Sequence, residues 1–337
     1  MARTAVVLFN LGGPDGPDAV RPFLFNLFND PAIIGAPGPI RWALARFISA
    51  RRAPVARAIY DRIGGRSPLL ELTRAQAAAL EAALGADHRV FVAMRYWHPL
   101  TEETVAEVFA WRPDRVVLLP LYPQYSSTTS GSSIEAWRKA AAKAGLTAPT
   151  EAICCWPTEP GFIGTVARQT AEALAASPPG ARVLFSAHGL PKKVIAGGDP
   201  YRWQVERTAE AVVAALGVPG LDWLVCYQSR VGPLEWIGPA TDDEIRRAGA
   251  DKVGLVVVPI AFVSEHSETL VELDIEYAEL AHHAGVPSWR RVPAVATAPD
   301  FVAGLAGLVR AGPHGRICPA ACGRCPTALG QPSSGGA

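Results

Sequence analysis

Six short runs of this chain are continuously apolar: TAVVLFN, RVFVAMRYW, RVVLLPLYPQY, ARVLFSAHG, DWLVCYQS and KVGLVVVPIAF. A strand with one face in water alternates apolar and polar residues. These runs do not, so they predict strands buried on both faces of parallel sheets. Between them lie alanine-rich stretches of helical character, such as LTRAQAAALEAALG, SSIEAWRKAAAKAG, FIGTVARQTAEALAA and YRWQVERTAEAVVAALG, several of them closed by glycine. Strand and helix signals in alternation predict a doubly wound α/β fold.

The runs fall into two sets of three. LFNLGGP at 8–14 parallels LFSAHGLP at 184–191, VAMRYW parallels LVCYQS, and LLPLYPQYSSTTSGSS parallels VVPIAFVSEHSETL. This pattern suggests a duplication with one domain per half, over residues 1–175 and 176–315, joined near AASPPGA. The first half has about forty extra residues between its first two runs, which places an insertion at about 23–66. That insertion sets Ile33, Ile34, Ile40, Trp42, Leu44, Phe47 and Ile48 beside Arg41, Arg46, Arg51 and Arg52. It reads either as a helix packed on its own domain or as an apolar lip with a basic border.

Composition narrows the class. A chain of 337 residues suits two domains, and 49% hydrophobic residues can fill them. With 32 basic against 31 acidic side chains, charge offers no reason to expect a nucleic-acid partner. Met1 to Thr4 lead straight into the first apolar run without a signal-peptide pattern, and no apolar run approaches the length of a spanning helix. The expectation is a cytoplasmic protein, whose six cysteines are metal ligands or buried thiols rather than disulfides.

In open α/β sheets ligands bind beyond the carboxyl ends of the strands. Those ends carry Asn10; Arg95, Tyr96 and His98; Tyr122, Tyr125 and Ser126; His188; Gln228 and Ser229; and Glu265 and His266. Polar groups at all six predict a shared cleft. Beyond the last run, Glu268, Glu272 and Glu276 recur at four-residue spacing on one helix face, with Glu265 and His266 at its entrance. The stripe is either a solvated acidic face or, turned to a cleft, a set of carboxylates that passes protons or holds a divalent cation. SSTTSGSS lacks the lysine and spacing of a phosphate-binding loop, and LGGP is not GxGxxG, so neither supports a nucleotide.

Taken in order, LFNLGGP, RIGGRSPL, RYWHPLTEE, YPQYSSTTSGSS, FSAHGLP, YQSRVGPLEWIGP and PIAFVSEHSETLVELDIEY resemble the ferrochelatases across residues 6–278. Ferrochelatases insert ferrous iron into protoporphyrin IX at the last step of haem synthesis. The resemblance implies two Rossmann-like, chelatase-type domains, each a parallel β-sheet flanked by helices, with the active-site cleft between them. It makes His188 the active-site histidine and Glu268 its partner carboxylate, both catalytic and iron-binding. Glu265, His266, Glu272 and Glu276 become a proton or metal track. Leu11, Arg52, Tyr60, Ser67, Arg95, Tyr122 and Trp236 fall around the macrocycle, with Arg52 and Ser67 near its propionates. The insertion then matches a hydrophobic lip that gives peripheral membrane contact, and the resemblance admits a homodimer. The alternatives are a chelatase for coproporphyrin III or cobalt, a non-catalytic haem- or porphyrin-binding protein, and an iron–sulfur electron carrier.

The last feature is RICPAACGRCP at 316–326, which sets Cys318, Cys322 and Cys325 close together ahead of a loose, disordered tail at 327–337. A structural zinc site more often uses paired CxxC units, and none occurs elsewhere in the chain. Some ferrochelatases carry a 2Fe–2S cluster bound by three carboxyl-terminal cysteines and one from earlier in the chain. The resemblance assigns these three to it and puts the fourth ligand at Cys154 or Cys155, in AICCWPT. Cys226, inside an apolar strand, reads as a buried thiol.

Overall fold

The structure is a computed structural model. It describes residues 2–230, 232 and 234–325, and the tail predicted at 327–337 lies outside them. The apolar runs form two parallel four-stranded sheets. The first contains β1 (Thr4–Asn10), β2 (His88–Met94), β3 (Arg115–Pro120) and β4 (Thr150–Ala152), in the order β2-β1-β3-β4. The second contains β5 (Arg182–His188), β6 (Trp223–Gln228), β7 (Leu255–Pro259) and β8 (Trp289–Arg291), in the order β6-β5-β7-β8. The orders correspond strand for strand, which is the structural form of the duplication. Every residue of β1 and β7 is buried, as expected where helices cover both faces of a sheet. β4 and β8 are absent from the six runs because they are three-residue edge strands containing no fully buried residue. Such strands are too short to show a period.

The chain divides into two compact units whose bounds differ from the predicted join at 175. Among the described residues one unit comprises 2–155 with Ala306–His314, and the other Trp156–Leu305 with the segment from Gly315 onward. Packing explains the shift. The helix Pro160–Ala175, in the first predicted domain, belongs to the second unit, where Phe162 sets its ring 6.2 Å from Phe301 and 5.5 Å from Trp156. The end of the helix Pro299–Ala311 belongs to the first unit, where Arg310 donates to the carbonyl of Ala83 at 2.7 Å.

Residues 23–66 fall largely on the helices Val20–Phe28 and Gly38–Asp61. These stand ahead of Leu69–Leu84, the helix that leads to β2. In the second unit the short helix Lys192–Ala196 alone stands between β5 and the equivalent helix Tyr201–Leu216. The helix Gly38–Asp61 leaves Ile40, Trp42, Leu44, Phe47 and Val55 exposed. Among the described residues, no helix is long and apolar enough to cross a membrane.

Candidate active site

β5 ends at His188, and the turn that follows fixes its ring. Nδ1 lies 2.6 Å from the carbonyl oxygen of Gly189; a carbonyl only accepts, so Nδ1 carries the proton and Nε2 is the atom left for chemistry. Nε2 faces Glu268 Oε1 at 3.7 Å, and the other carboxylate oxygen faces His266 Nε2 at 3.6 Å. Both separations exceed a hydrogen bond, so the three groups form an open constellation of nitrogen and oxygen donors. Burial pushes the Glu268 carboxyl up, but the charges of His188 and His266 outweigh it and bring it down to about 2. The ring of His266 is packed 4.6 Å from that of Phe262, and its buried Nδ1 has no hydrogen-bond partner among the described residues. Trp236 reaches back over the turn: its ring would lie 3.3 Å from a Cβ added to Gly189, which only glycine avoids.

The four-residue spacing of the glutamates predicts an α-helical stripe. The structure instead winds Glu268–Tyr277 as a π-helix, continuing as the α-helix Ala278–Ala284. Such i→i+5 turns are rare and cluster at functional sites. The acidic residues consequently meet different surroundings. Glu268 faces the histidines. Glu272 accepts from the Ser229 amide at 2.8 Å, from Gln228 Nε2 at 3.0 Å, from Tyr277 at 3.1 Å and from the Ser229 hydroxyl. Ser229 lies in the left-handed region at φ 61, beside this carboxylate. Burial, and then the charge of Glu268, push the Glu272 carboxyl above its ordinary value. Glu276 is exposed. Glu265 is turned to Arg291 at 2.5 Å and to the amide of Ala294 at 2.9 Å. Burial raises its carboxyl, but Arg291 more than offsets this and leaves it below the ordinary range.

The residues of the first unit that the resemblance sets around a macrocycle lie on the elements after β1, β2 and β3. Leu11 and Tyr60 share an apolar cluster with Phe23, Leu24 and Tyr96. Ser67 fills the space a Cβ on Gly13 would need, at 2.5 Å, and its amide donates to the Pro14 carbonyl at 2.8 Å. Arg52 is exposed, with its guanidinium 5.8 Å from the Phe28 ring centre. The hydroxyl of Tyr122 is buried, and burial raises its pKa. Arg95 is fixed by a residue that sequence reasoning missed. Asp30, 2% exposed, lies 2.8 Å from its guanidinium and also accepts from Tyr96 and Ser132. Locally the Asp30 side chain only accepts from the Ala32 amide at 2.8 Å, an ordinary turn contact, whereas Arg95, Tyr96 and Ser132 are 65 or more positions away.

Two further missed residues connect His188 to the cysteine segment. Tyr201 donates from its hydroxyl to the backbone carbonyl of His188 at 3.0 Å, and Asp199 accepts from the Tyr201 amide at 3.0 Å. The cysteine segment packs on this same loop: Arg324 N donates to the Gly198 carbonyl at 3.1 Å, and Gln204 Nε2 donates to Cys318 Sγ at 3.0 Å. Cys318 and Cys325 are buried and touch; burial first, then these thiol neighbours, push Cys318 up to about 12. In the first unit Cys154 Sγ and Cys155 Sγ lie 3.6 Å apart, both buried. The contact from Cys155, and then His314, lower the Cys154 thiol. Cys226 is buried within β6 and pushed up to about 12, as a structural thiol should be.

Two like-ordered parallel sheets, with an imidazole and a carboxylate beyond a strand end, are the architecture of a metal chelatase. SirB from Bacillus subtilis subspecies spizizenii in complex with cobalt matches this fold with a TM-score of 0.53 at 12% identity, over 91% of this chain and 94% of that one. SirB from Bacillus subtilis with Fe3+ matches with a TM-score of 0.51, also at 12% identity over 91% and 94% of the two chains. Sequence fixes the family within that class. The chain belongs to the ferrochelatase family, whose model matches residues 3–312. The ferrochelatase of Caulobacter vibrioides strain NA1000 / CB15N is 60% identical over 315 residues, covering 91% of this chain and 90% of the relative. That of Phenylobacterium zucineum is 56% identical over 339 residues, covering 96% and 97%.

Proposed function

We infer that this chain inserts ferrous iron into protoporphyrin IX, forming protohaem at the last step of haem synthesis. The observation that carries the reading is the pair His188 Nε2 and Glu268 Oε1, 3.7 Å apart with Nδ1 already committed. Metallation must remove two pyrrole protons as iron enters. A neutral Nε2 can accept one of them, and the ionised Glu268 stabilises the imidazolium that results. Nitrogen and oxygen donors also suit an ion that must be released to the macrocycle, whereas thiolates would retain it. Glu272 and Glu276 continue the path for protons along the π-helix, and Glu265 and His266 flank its start. The same reading assigns Leu11, Arg52, Tyr60, Ser67, Arg95, Tyr122 and Trp236 to porphyrin binding, Arg52 and Ser67 meeting its propionates. Peripheral binding energy then bends the ring toward the shape that accepts the metal.

The test is anaerobic ferrous iron with protoporphyrin IX, run beside coproporphyrin III and followed optically. We expect protohaem from the wild-type chain and at least about a hundredfold loss in His188→Ala, with porphyrin binding retained. Equal rates in the two proteins would reduce the chain to a porphyrin binder, and turnover of coproporphyrin alone would change the substrate.

The same reading gives the chain a 2Fe–2S cluster held by Cys318, Cys322, Cys325 and one of Cys154 or Cys155. The contact of Cys318 with Cys325 supports it, and burial and then the neighbouring thiols push Cys318 and Cys322 up, which a cationic centre would relieve. Such a cluster would hold the carboxyl-terminal segment in place. The expected protein is brown as isolated and bleaches in Cys318→Ser; a colourless, iron-free and fully active preparation would remove the cluster. The exposed apolar residues of Gly38–Asp61, bordered by Arg46, Arg51 and Arg52, support peripheral membrane contact, where an insoluble substrate is collected.

A further inference from the structure

β5 and β6 pair in a register that sets His188 beside Gln228, the last residue of β6. Gln228 is fully buried, and both ends of its side-chain amide are bonded. Ser186 donates from its hydroxyl to Oε1 at 2.8 Å, which fixes the amide so that Nε2 faces the helix Glu268–Tyr277. Nε2 donates to the backbone carbonyl of Glu268 and to Oε2 of Glu272, each at 3.0 Å. The two acceptors stand one turn apart, so a single amide spans the first turn of the π-helix from outside. Helices leave the α ladder at π-turns and where a side chain inserts a hydrogen bond, and both occur here. The backbone of Gln228 holds the other partner. Its carbonyl accepts from the Gly189 amide at 2.8 Å, and the Gly189 carbonyl in turn accepts from His188 Nδ1 at 2.6 Å.

We propose that Gln228 is a positioning residue for metal insertion: its backbone holds the turn that orients His188, and its side-chain amide holds the π-winding that sets Glu268 and Glu272 against it. The inference rests on the iron-insertion reading of His188 and Glu268. The amide bonds the Glu268 backbone and not its carboxylate, so Gln228 acts through the placement of that side chain. The 3.7 Å gap between His188 Nε2 and Glu268 Oε1 is set by two elements, the turn after β5 and the π-helix, and Gln228 is bonded to both. Without the amide, the Glu268 carbonyl and the Glu272 carboxylate lose their shared donor. The first turn is then free to tighten toward α geometry, which swings its side chains to new bearings relative to His188. A misplacement of about 1 Å between reacting groups can cost about a hundredfold in rate.

The experiment uses the full chain with Gln228→Met, which keeps the length of the side chain and removes the amide. Val212→Ala, a buried truncation in the helix Tyr201–Leu216 of the same unit, is the control for lost stability alone. With ferrous iron and protoporphyrin IX under anaerobic conditions, kcat should fall at least about tenfold in Gln228→Met while the porphyrin KM stays within about twofold; Val212→Ala should keep both. Amide hydrogen exchange within Glu268–Tyr277 should quicken at least about tenfold in Gln228→Met, and no more than the rest of the unit in Val212→Ala. If Gln228→Met does not fold, Gln228→Glu decides. It still accepts from Ser186 but has at most one donor, which cannot serve both Glu268 and Glu272, so it should show the same two changes. Wild-type kcat, or exchange that quickens evenly across the unit as in the control, overturns the proposal. A wild-type chain that makes no metalloporphyrin sinks the iron-insertion reading instead, and the exchange comparison then still supports or overturns the hold of Gln228 on the winding.

Discussion

At the scale of single residues, glutamates spaced four apart in sequence meet different surroundings. Glu268 is depressed from 4.5 to about 2 by His188 and His266 against the upward push of burial. A depressed carboxylate contributes stability that is present above its unfolded value and lost as pH falls through the folded one. Wild type should therefore lose stability relative to Glu268→Gln as pH falls from about 4.5 to about 2; urea midpoints across that range check it. Glu272 differs because four donors converge on it, while burial and then the charge of Glu268 push its carboxyl above its ordinary value. The residues that sequence reasoning singled out carry a type and a spacing, and His188, His266 and Glu268 do meet in space. Asp30 and Tyr201 escaped because each acts on a residue far from it in sequence or through its backbone.

At the scale of elements, the loop between β5 and the helix Tyr201–Leu216 links the cysteine segment to His188. Gly198 sits at φ +90, and a Cβ there would lie 2.9 Å from the Gly323 amide nitrogen. Gly198→Ala should cost about 1–3 kcal/mol through strain and loosen the segment from its seat. Because Asp199 and Tyr201 follow directly, turnover should fall with it. Thermal unfolding together with faster alkylation of Cys318 is the measurement; unchanged alkylation and turnover would mean that the segment is docked by other contacts. The π-helix was likewise invisible beforehand. A four-residue repeat fits either winding, and here Gln228 bonds both the Glu268 carbonyl and the Glu272 carboxylate across from β6.

At the scale of the whole molecule, the exposed apolar helix Gly38–Asp61 is expected to set where the chain works. Trp42→Glu with Phe47→Glu should abolish binding to anionic vesicles while leaving metallation of detergent-dispersed porphyrin within about twofold, because neither residue is assigned to the macrocycle. A flotation assay distinguishes this from a helix that only packs on its own unit. The six apolar runs, their repetition and the family motifs follow from sequence alone, since a run and a motif are local strings, although β2 and β6, at the sheet ends, are only partly buried. The edge strands β4 and β8 do not, because three residues carry no period. Nor does the course of the chain between the units. Helix Pro160–Ala175 reads the same in either domain, and only the aromatic packing of Phe162 against Trp156 and Phe301 assigns it to the second. The meetings of Asp30 with Arg95, Tyr201 with His188, and His314 with Cys154 and Cys155 are of the same kind. Periodicity and motifs are properties of neighbours in sequence and were fixed there. Partnerships between distant residues depend on how helices and strands fill space together, and only the tertiary structure decided them.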